Sequence, residues 1–249
     1  MKTIVQISDC HFNLNKANAE KALVHTLDFI NRLKFDYLFI TGDICESPTI
    51  PQYQIFARLI SEHISTPNIY AIAGNHDCID MIKSAFKDTW IKVAEQVSIE
   101  RFNFMFIDSS KKPKKAMMLG AGRVASKDIK RIDDANQETV VVIHHPIFEN
   151  DCDWFNEIGL ENQKEVATSV LNNENIQHII CGHGHSFIQT KRQHTTQIMS
   201  PSTSYGFDHD SKVFLKNDRV GAVMIQVGET ITSQEIRIPS RIERTVKAI

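Results

Sequence analysis

The sequence has no uninterrupted apolar run near the ~18 residues that a membrane-crossing helix needs. Met1-Lys2-Thr3 runs straight into Ile4-Val5-Gln6-Ile7, without the longer apolar core and small-residue cleavage site of a secretory signal. The C-terminal Lys247-Ala248-Ile249 is no lipidation signal. No charge sign dominates: 28 basic residues against 30 acidic ones leave a net charge of −2. That balance supplies no general attraction to nucleic acid or to an anionic membrane. CxxC spacing is absent, and the five cysteines (Cys10, Cys45, Cys78, Cys152 and Cys181) cannot all pair. Reduced thiols in a cytoplasmic protein are the expectation. There is also no repeat, no low-complexity tract and no Pro/Gly/Ser linker, so one domain over 1–249 is expected. Against these absences stand 11 histidines, the residue type with which metal chemistry begins.

Short apolar runs alternate with amphipathic stretches through the first two thirds of the chain. Thr3–Ser8, Tyr37–Thr41, Ile69–Ala73, Phe102–Ile107, Val140–Ile143 and Ile179–Cys181 read as buried strands. Ala17–Leu33, Gln52–His63, Ser126–Asp134 and Asn162–Asn172 carry helical spacing. From about 186 onward the pattern is strand after strand: Phe187–Thr190, Gln197–Met199, Gly221–Val227 and Ile231–Ile238. An α/β chain with an all-β finish predicts two packed sheets with helices outside, the β-rich 186–249 part completing the second sheet.

Polar clusters close the strands. They are Asp9-Cys10-His11, Gly42-Asp43, Gly74-Asn75-His76-Asp77, His144-His145-Pro146 and Gly182-His183-Gly184-His185. Ligands of α/β sheets bind beyond the carboxyl ends of strands, so the five clusters should converge. Strand alternation would put Asp9 and His11 on one side, with Cys10 pointing away, and would pair His183 with His185. Each cluster alone is an ordinary turn or strand stop. The ordered set is not an ordinary coincidence.

That ordered set (D-x-H, G-D, G-N-H-[D/E], H-x-P, G-H-x-H) resembles the calcineurin-like metallophosphoesterase superfamily. Cys152-x-Trp154, Leu160-x-Asn162 and Pro201-Ser202-Thr203 make it look like the bacterial class III 3′,5′-cyclic nucleotide phosphodiesterases, those acting on cAMP above all. The resemblance implies a four-layer αββα sandwich of two mixed sheets and two metal ions per chain. One metal would take Asp9, His11 and His185, the other Asn75, His144 and His183, and Asp43 would bridge them. Imidazole, carboxylate and amide donors without thiolate suit Fe, Mn, Zn or Co.

The same resemblance has a metal-bridging hydroxide attack the phosphorus while His76 assists the leaving alkoxide and Asp77 fixes its tautomer. Asn75, His76 and Trp154 would meet the substrate. His145, one position past His144, should point elsewhere on strand alternation, in a structural role or behind the ligands. The implied activity is hydrolysis of 3′,5′-cyclic AMP to 5′-AMP. A broader phosphodiesterase acting on glycerophosphodiesters, 2′,3′-cyclic nucleotides or aryl phosphate esters is the alternative, and a non-catalytic scaffold would require gaps in the ligand set that are not there. The small-molecule phosphodiester is the expected partner, with no nucleic acid or membrane; relatives that dimerise make a homodimer a further expectation. Lys111-Lys112-Pro113-Lys114-Lys115 reads as a solvated basic loop. Cys10, Cys45, Cys78 and Cys181 read as small apolar fillers behind the site.

Overall fold

A strand covered on both faces has no solvent side, and the runs Phe102–Ile107 and Thr139–Ile143 are buried at every position. The computed structural model describes residues 1–239, so Lys247-Ala248-Ile249 and the end of the β-rich 186–249 part lie outside the described residues. The first half runs β1 (Lys2–Ile7), α1 (Ala19–Asn31), β2 (Tyr37–Thr41), α2 (Ile50–His63), β3 (Ile69–Ile72), α3 (Ile79–Phe86) and β4 (Ile91–Lys92). The chain continues through β5 (Gln96–Ile99), β6 (Phe102–Ile107), α4 (Ser126–Asp133), β7 (Thr139–Ile143), α5 (Asp153–Asn156), α6 (Gln163–Asn172) and β8 (Ile176–Cys181). It finishes with β9 (Ile188–Arg192), β10 (Thr195–Met199), β11 (Gly206–Phe207), β12 (Lys216–Asn217), β13 (Gly221–Val227) and β14 (Ile231–Arg237).

Two six-stranded mixed sheets result, ordered β14-β13-β1-β2-β3-β4 and β5-β6-β7-β8-β10-β9. Alternation along β1 and β2 sorts their side chains into two cores. Ile4 and Phe39 face the second sheet, where Phe39 meets Phe104 and Phe106 edge-on at 5.5 and 5.4 Å. Val5, Leu38 and Ile40 face the other way, against Leu27, Ile30, Phe56 and Ile82 of α1, α2 and α3. The second sheet turns Val141 and Ile143 toward Ile129 and Ile132 of α4 and Val166 and Val170 of α6. Each such buried apolar side chain contributes roughly 1.5–3 kcal/mol. The result is the helix–sheet–sheet–helix layering that the pattern predicts. Among the described residues no helix is long and apolar enough to cross a membrane.

The C-terminal strands do not all complete the second sheet. β9 and β10 do, but β13 pairs antiparallel with β1 (Ile4 opposite Ile225) and carries β14 to the outer edge of the first sheet. The choice of partner is non-local: an apolar alternation fits either sheet, and β13 takes the side of β1 that β2 leaves unpaired. The expected start of the second helix moves from Gln52 to Ile50, because the Thr49 side chain caps it by accepting from Gln52 N and Pro51 sits in its first turn.

Candidate metal centre

β1, β2, β3, β7 and β8 end at one edge of the sandwich, and the five polar clusters follow them there. The strands stop short of the side chains that matter: β1 ends at Ile7 and β8 at Cys181. Strand alternation therefore does not aim Asp9, His11, His183 and His185. All four, with Asp43, are left-handed, at φ between 43° and 67°. Non-glycine residues avoid that region, so the surroundings must impose it. They do so through hydrogen bonds from Asp9 N to Gly42 O (3.0 Å), His11 N to Asp43 O (2.9 Å) and His183 N to Asp9 Oδ2 (2.9 Å). Ser202 and Ser204 both donate their hydroxyls to the Asp9 carbonyl, at 2.8 and 2.9 Å. Gly42 (φ 93°) leaves room for His144, since a Cβ there would stand 2.5 Å from His144 Nδ1.

The histidine tautomers follow from their carbonyl partners. His144 Nδ1 is 2.7 Å from Thr41 O, His185 Nδ1 is 2.7 Å from Tyr205 O, and His183 Nε2 is 3.0 Å from Ile158 O. A carbonyl only accepts, so each of these nitrogens carries the proton and the other ring nitrogen presents a lone pair. Those lone pairs face further nitrogen and oxygen ligand atoms. His185 Nε2 stands 3.1 Å from His11 Nε2 and 3.2 Å from Asp9 Oδ1. His144 Nε2 stands 3.1 Å from Asn75 Oδ1 and 3.5 Å from Asp43 Oδ1. Asp43 spans both groups, its Oδ2 lying 3.8 Å from His11 Nε2.

Asp9 Oδ1 and His11 Nδ1 are buried without a hydrogen bond. Converging lone pairs with too few protons between them are unfavourable unless cations sit there, so this donor set fits metal ions. Asp9, His11 and His185 form one candidate ligand group, and Asp9, Asp43 and His144 another. His144, His145 and His183 also cluster, but both ring nitrogens of His145 are engaged, with Ser109 Oγ at 2.8 Å and Gly120 O at 2.9 Å.

Burial and the Asp9 and Asp77 carboxylates push the Asp43 carboxyl well above its ordinary value. Burial also raises the Asp9 carboxyl, but His185, His144 and His11 outweigh it and hold Asp9 low. The imidazoles move the other way. Burial lowers His144 and His183, and takes His11 and His145 down to about 3. A histidine whose folded value lies below its ordinary 6.5 stabilises the fold fully above that pH. The unfolded chain takes up the proton first as pH falls toward 3, so the stability is lost on acidification.

Each such group contributes about 1.4 kcal/mol per pH unit to the slope. Urea unfolding of metal-free protein between pH 6 and 4 should therefore show stability falling with acid. His145→Gln should reduce that slope by about one proton, and an unchanged slope would sink the assignment.

His76 stands exposed at the mouth, its ring 4.9 Å from that of His11 and its Nδ1 3.2 Å from the Glu46 carbonyl. Asp77 does not orient it. The Asp77 carboxylate accepts instead from Gly74 N (3.0 Å), Ile44 N (3.1 Å), Cys45 N (3.2 Å) and Tyr53 Oη (2.8 Å), so it builds the loop rather than the proton path. Burial pushes that carboxyl up and the four donors only partly offset it.

Trp154 sits among the rings of Phe155, Phe207, His209 and Phe214 and donates its indole N–H to Ser211 O at 3.1 Å. The backbone of the basic loop is tied down, as Lys114 N and Lys115 N both donate to Glu161 at 2.9 Å. Cys10, Cys45 and Cys181 are buried among apolar residues, and burial pushes the Cys10 thiol up to about 12. Tyr205, which no motif of the sequence marks, places its ring 5.3 Å from that of His11 and 4.6 Å from that of His185. Its one signal was position, three residues after the Pro201-Ser202 pair.

A family model described as calcineurin-like phosphoesterase matches residues 2–187. The chain is 25% identical over 213 residues to the 3′,5′-cyclic adenosine monophosphate phosphodiesterase CpdA of Escherichia coli K12, covering 82% of this chain and 77% of that one. It is 29% identical over 198 residues to a probable glycerophosphodiester phosphodiesterase GpdQ of Arcobacter nitrofigilis, covering 73% of this chain and 71% of that one. Among solved structures, a dimetal phosphatase from Danio rerio superimposes with a TM-score of 0.61 at 12% identity, over 96% of this chain and 99% of that one. That likeness concerns the fold.

Proposed function

The chain belongs to the calcineurin-like phosphoesterase family, and from that premise we propose that it hydrolyses 3′,5′-cyclic AMP to 5′-AMP at a pair of metal ions. The observation that carries the reading is the pair of lone-pair groups joined by Asp43. In it, Asp9, His11 and His185 would hold one ion and Asn75, His144 and His183 the other, with Asp43 shared. Two ions held there would supply charge neutralisation of phosphate oxygens and a lowered pKa of bound water.

The remaining work belongs to the chain's own residues. The Thr41, Tyr205 and Ile158 carbonyls hold the imidazole tautomers, so the ligand nitrogens need no reorganisation. His76, anchored through Nδ1 on the Glu46 carbonyl, keeps Nε2 for the leaving oxygen. Its protonated form donates there as the P–O bond breaks, and water supplies the new P–O bond and replaces the proton. All five cysteines are free thiols, and we assign the reaction to the reducing cytoplasm.

The E. coli relative's name supports cyclic AMP as substrate. The Arcobacter relative's name favours glycerophosphodiesters; the second reading is thus the broader phosphodiesterase, with 2′,3′-cyclic nucleotides and aryl phosphate esters as further substrates. Metal analysis of purified protein and kcat/KM for cAMP, cGMP, 2′,3′-cAMP and a glycerophosphodiester, under matched metal loading, test both. We expect two metal ions per chain, loss of turnover on chelation, and cAMP among the better substrates. Poor turnover of cAMP beside the others transfers the assignment to the second reading, and a metal-loaded protein inert to all four overturns both.

A further inference from the structure

The two-stranded ribbon of β11 and β12 forms one wall of the metal centre, and the proposed chemistry leaves most of it unused. Phe207 stacks on His185 at 4.0 Å with planes 9° apart, and Phe214 packs edge-on against Phe207 at 5.0 Å. Phe214 is nonetheless 49% exposed, between Val213 at 62% and Leu215 at 49%. Lys216 holds its ammonium 3.8 Å from the centre of the Tyr205 ring and 5.9 Å from that of Phe214. It has no carboxylate partner among the described residues, and Tyr205 in turn lies beside His11 and His185. A cation without a carboxylate and a half-exposed aromatic ring thus each stand one ring away from His185, on one short hairpin. Trp154 backs this ribbon, 5.3 Å from Phe214, and its N–H is already spent on Ser211.

We propose that the ribbon recognises the substrate: Lys216 takes a phosphate oxygen, and Phe214 stacks on a planar ring of the ester group. Phosphodiesters bearing an aromatic or heterocyclic group are then favoured over glycerol esters. The chemistry is that of general ring recognition, in which a side-chain aromatic stacks on any π-face while a nearby ammonium holds the charge. The inference rests on the phosphodiesterase reading and deepens it by naming the substrate class.

The test uses the metal-loaded protein with three probes: 3′,5′-cyclic AMP, bis(4-nitrophenyl) phosphate and glycerophosphoethanolamine. Phe214→Ala should lower the ratio of kcat/KM for the two ring-bearing esters over the glycerol ester on the order of tenfold, through KM, with Phe214→Tyr restoring it. Lys216→Gln should lower kcat/KM for all three and weaken its salt dependence. A second readout needs no turnover. 5′-AMP should change tryptophan emission in the parent protein and not in Phe214→Ala or Trp154→Phe.

Equal losses on all three esters from Phe214→Ala, or no loss, overturn the inference. So does an AMP signal that Phe214→Ala retains. Should the parent protein hydrolyse none of the esters, the phosphodiesterase reading fails. The emission titration then decides the ribbon alone, a Phe214-dependent AMP signal upholding it and any other result overturning it.

Discussion

Replacing Asp43 with alanine should lower kcat/KM on every phosphodiester by on the order of 10³-fold, the scale of losing a preorganised electrostatic element of an active site. Asp43 faces both lone-pair groups, through Oδ1 at 3.5 Å from His144 Nε2 and Oδ2 at 3.8 Å from His11 Nε2. Its removal also deletes the acceptor for His76 N at 2.9 Å.

Stability supplies a separate signature. Burial and the carboxylates of Asp9 and Asp77 hold the Asp43 carboxyl above its ordinary value, so in metal-free protein its charge is a burden. Metal-free Asp43→Ala should therefore unfold at least as late as the metal-free parent. The rise in Tm that metal gives the parent should shrink in the variant, because a ligand that binds only the folded state stabilises in proportion to its affinity. Metal content by elemental analysis, Tm with and without metal, and kcat/KM together make the measurement. A variant with two metals per chain and more than a tenth of parent activity would remove Asp43 from the ligand set.

The second large effect is on folding, at Asp77. Its carboxylate satisfies three backbone N–H groups and the Tyr53 hydroxyl, which binds the Gly74–Cys78 loop to the end of β2 and to α2. Asp77→Ala leaves those donors without a partner, at roughly 1–3 kcal/mol each when water cannot reach them. Partial rehydration brings the expected total to about 3–5 kcal/mol, measured by urea unfolding with the slope checked for constancy.

His76→Ala makes the contrast, because His76 is exposed and its Nδ1 meets only the Glu46 carbonyl among the described residues. It should lower kcat and leave stability within about 0.5 kcal/mol of the parent. Asp77→Asn should destabilise while leaving the pH of half-maximal kcat in place. A displaced pH profile would instead make Asp77 the group that tunes His76.

The sequence by itself determined the layering and the address of the site. Strand runs such as Tyr37–Thr41 and Phe102–Ile107 were legible to the residue, because a strand buried on both faces writes itself as a continuous apolar run. Asp9, His11, Asp43, Asn75, His144, His183 and His185 were legible as a group because each lies within four residues of a strand's C-terminal end, and those ends share one edge.

Tertiary structure alone decided how those residues are held. Left-handed backbone at Asp9, His11, Asp43, His183 and His185 overrides strand alternation, and it persists only because neighbouring loops and the Ser202–Ser204 segment bond to it. The free nitrogens of His144, His183 and His185 are set by carbonyls at Thr41, Ile158 and Tyr205, all of them distant in sequence. The same distance hid the partners of Asp77, the allegiance of β13 to β1, and the hairpin that puts Phe214 against Phe207 and Lys216 against Tyr205. Local periodicity is carried by adjacent residues and can be read from them. A hydrogen bond or a ring contact between segments far apart along the chain leaves no local pattern, and it exists only once the layers have packed.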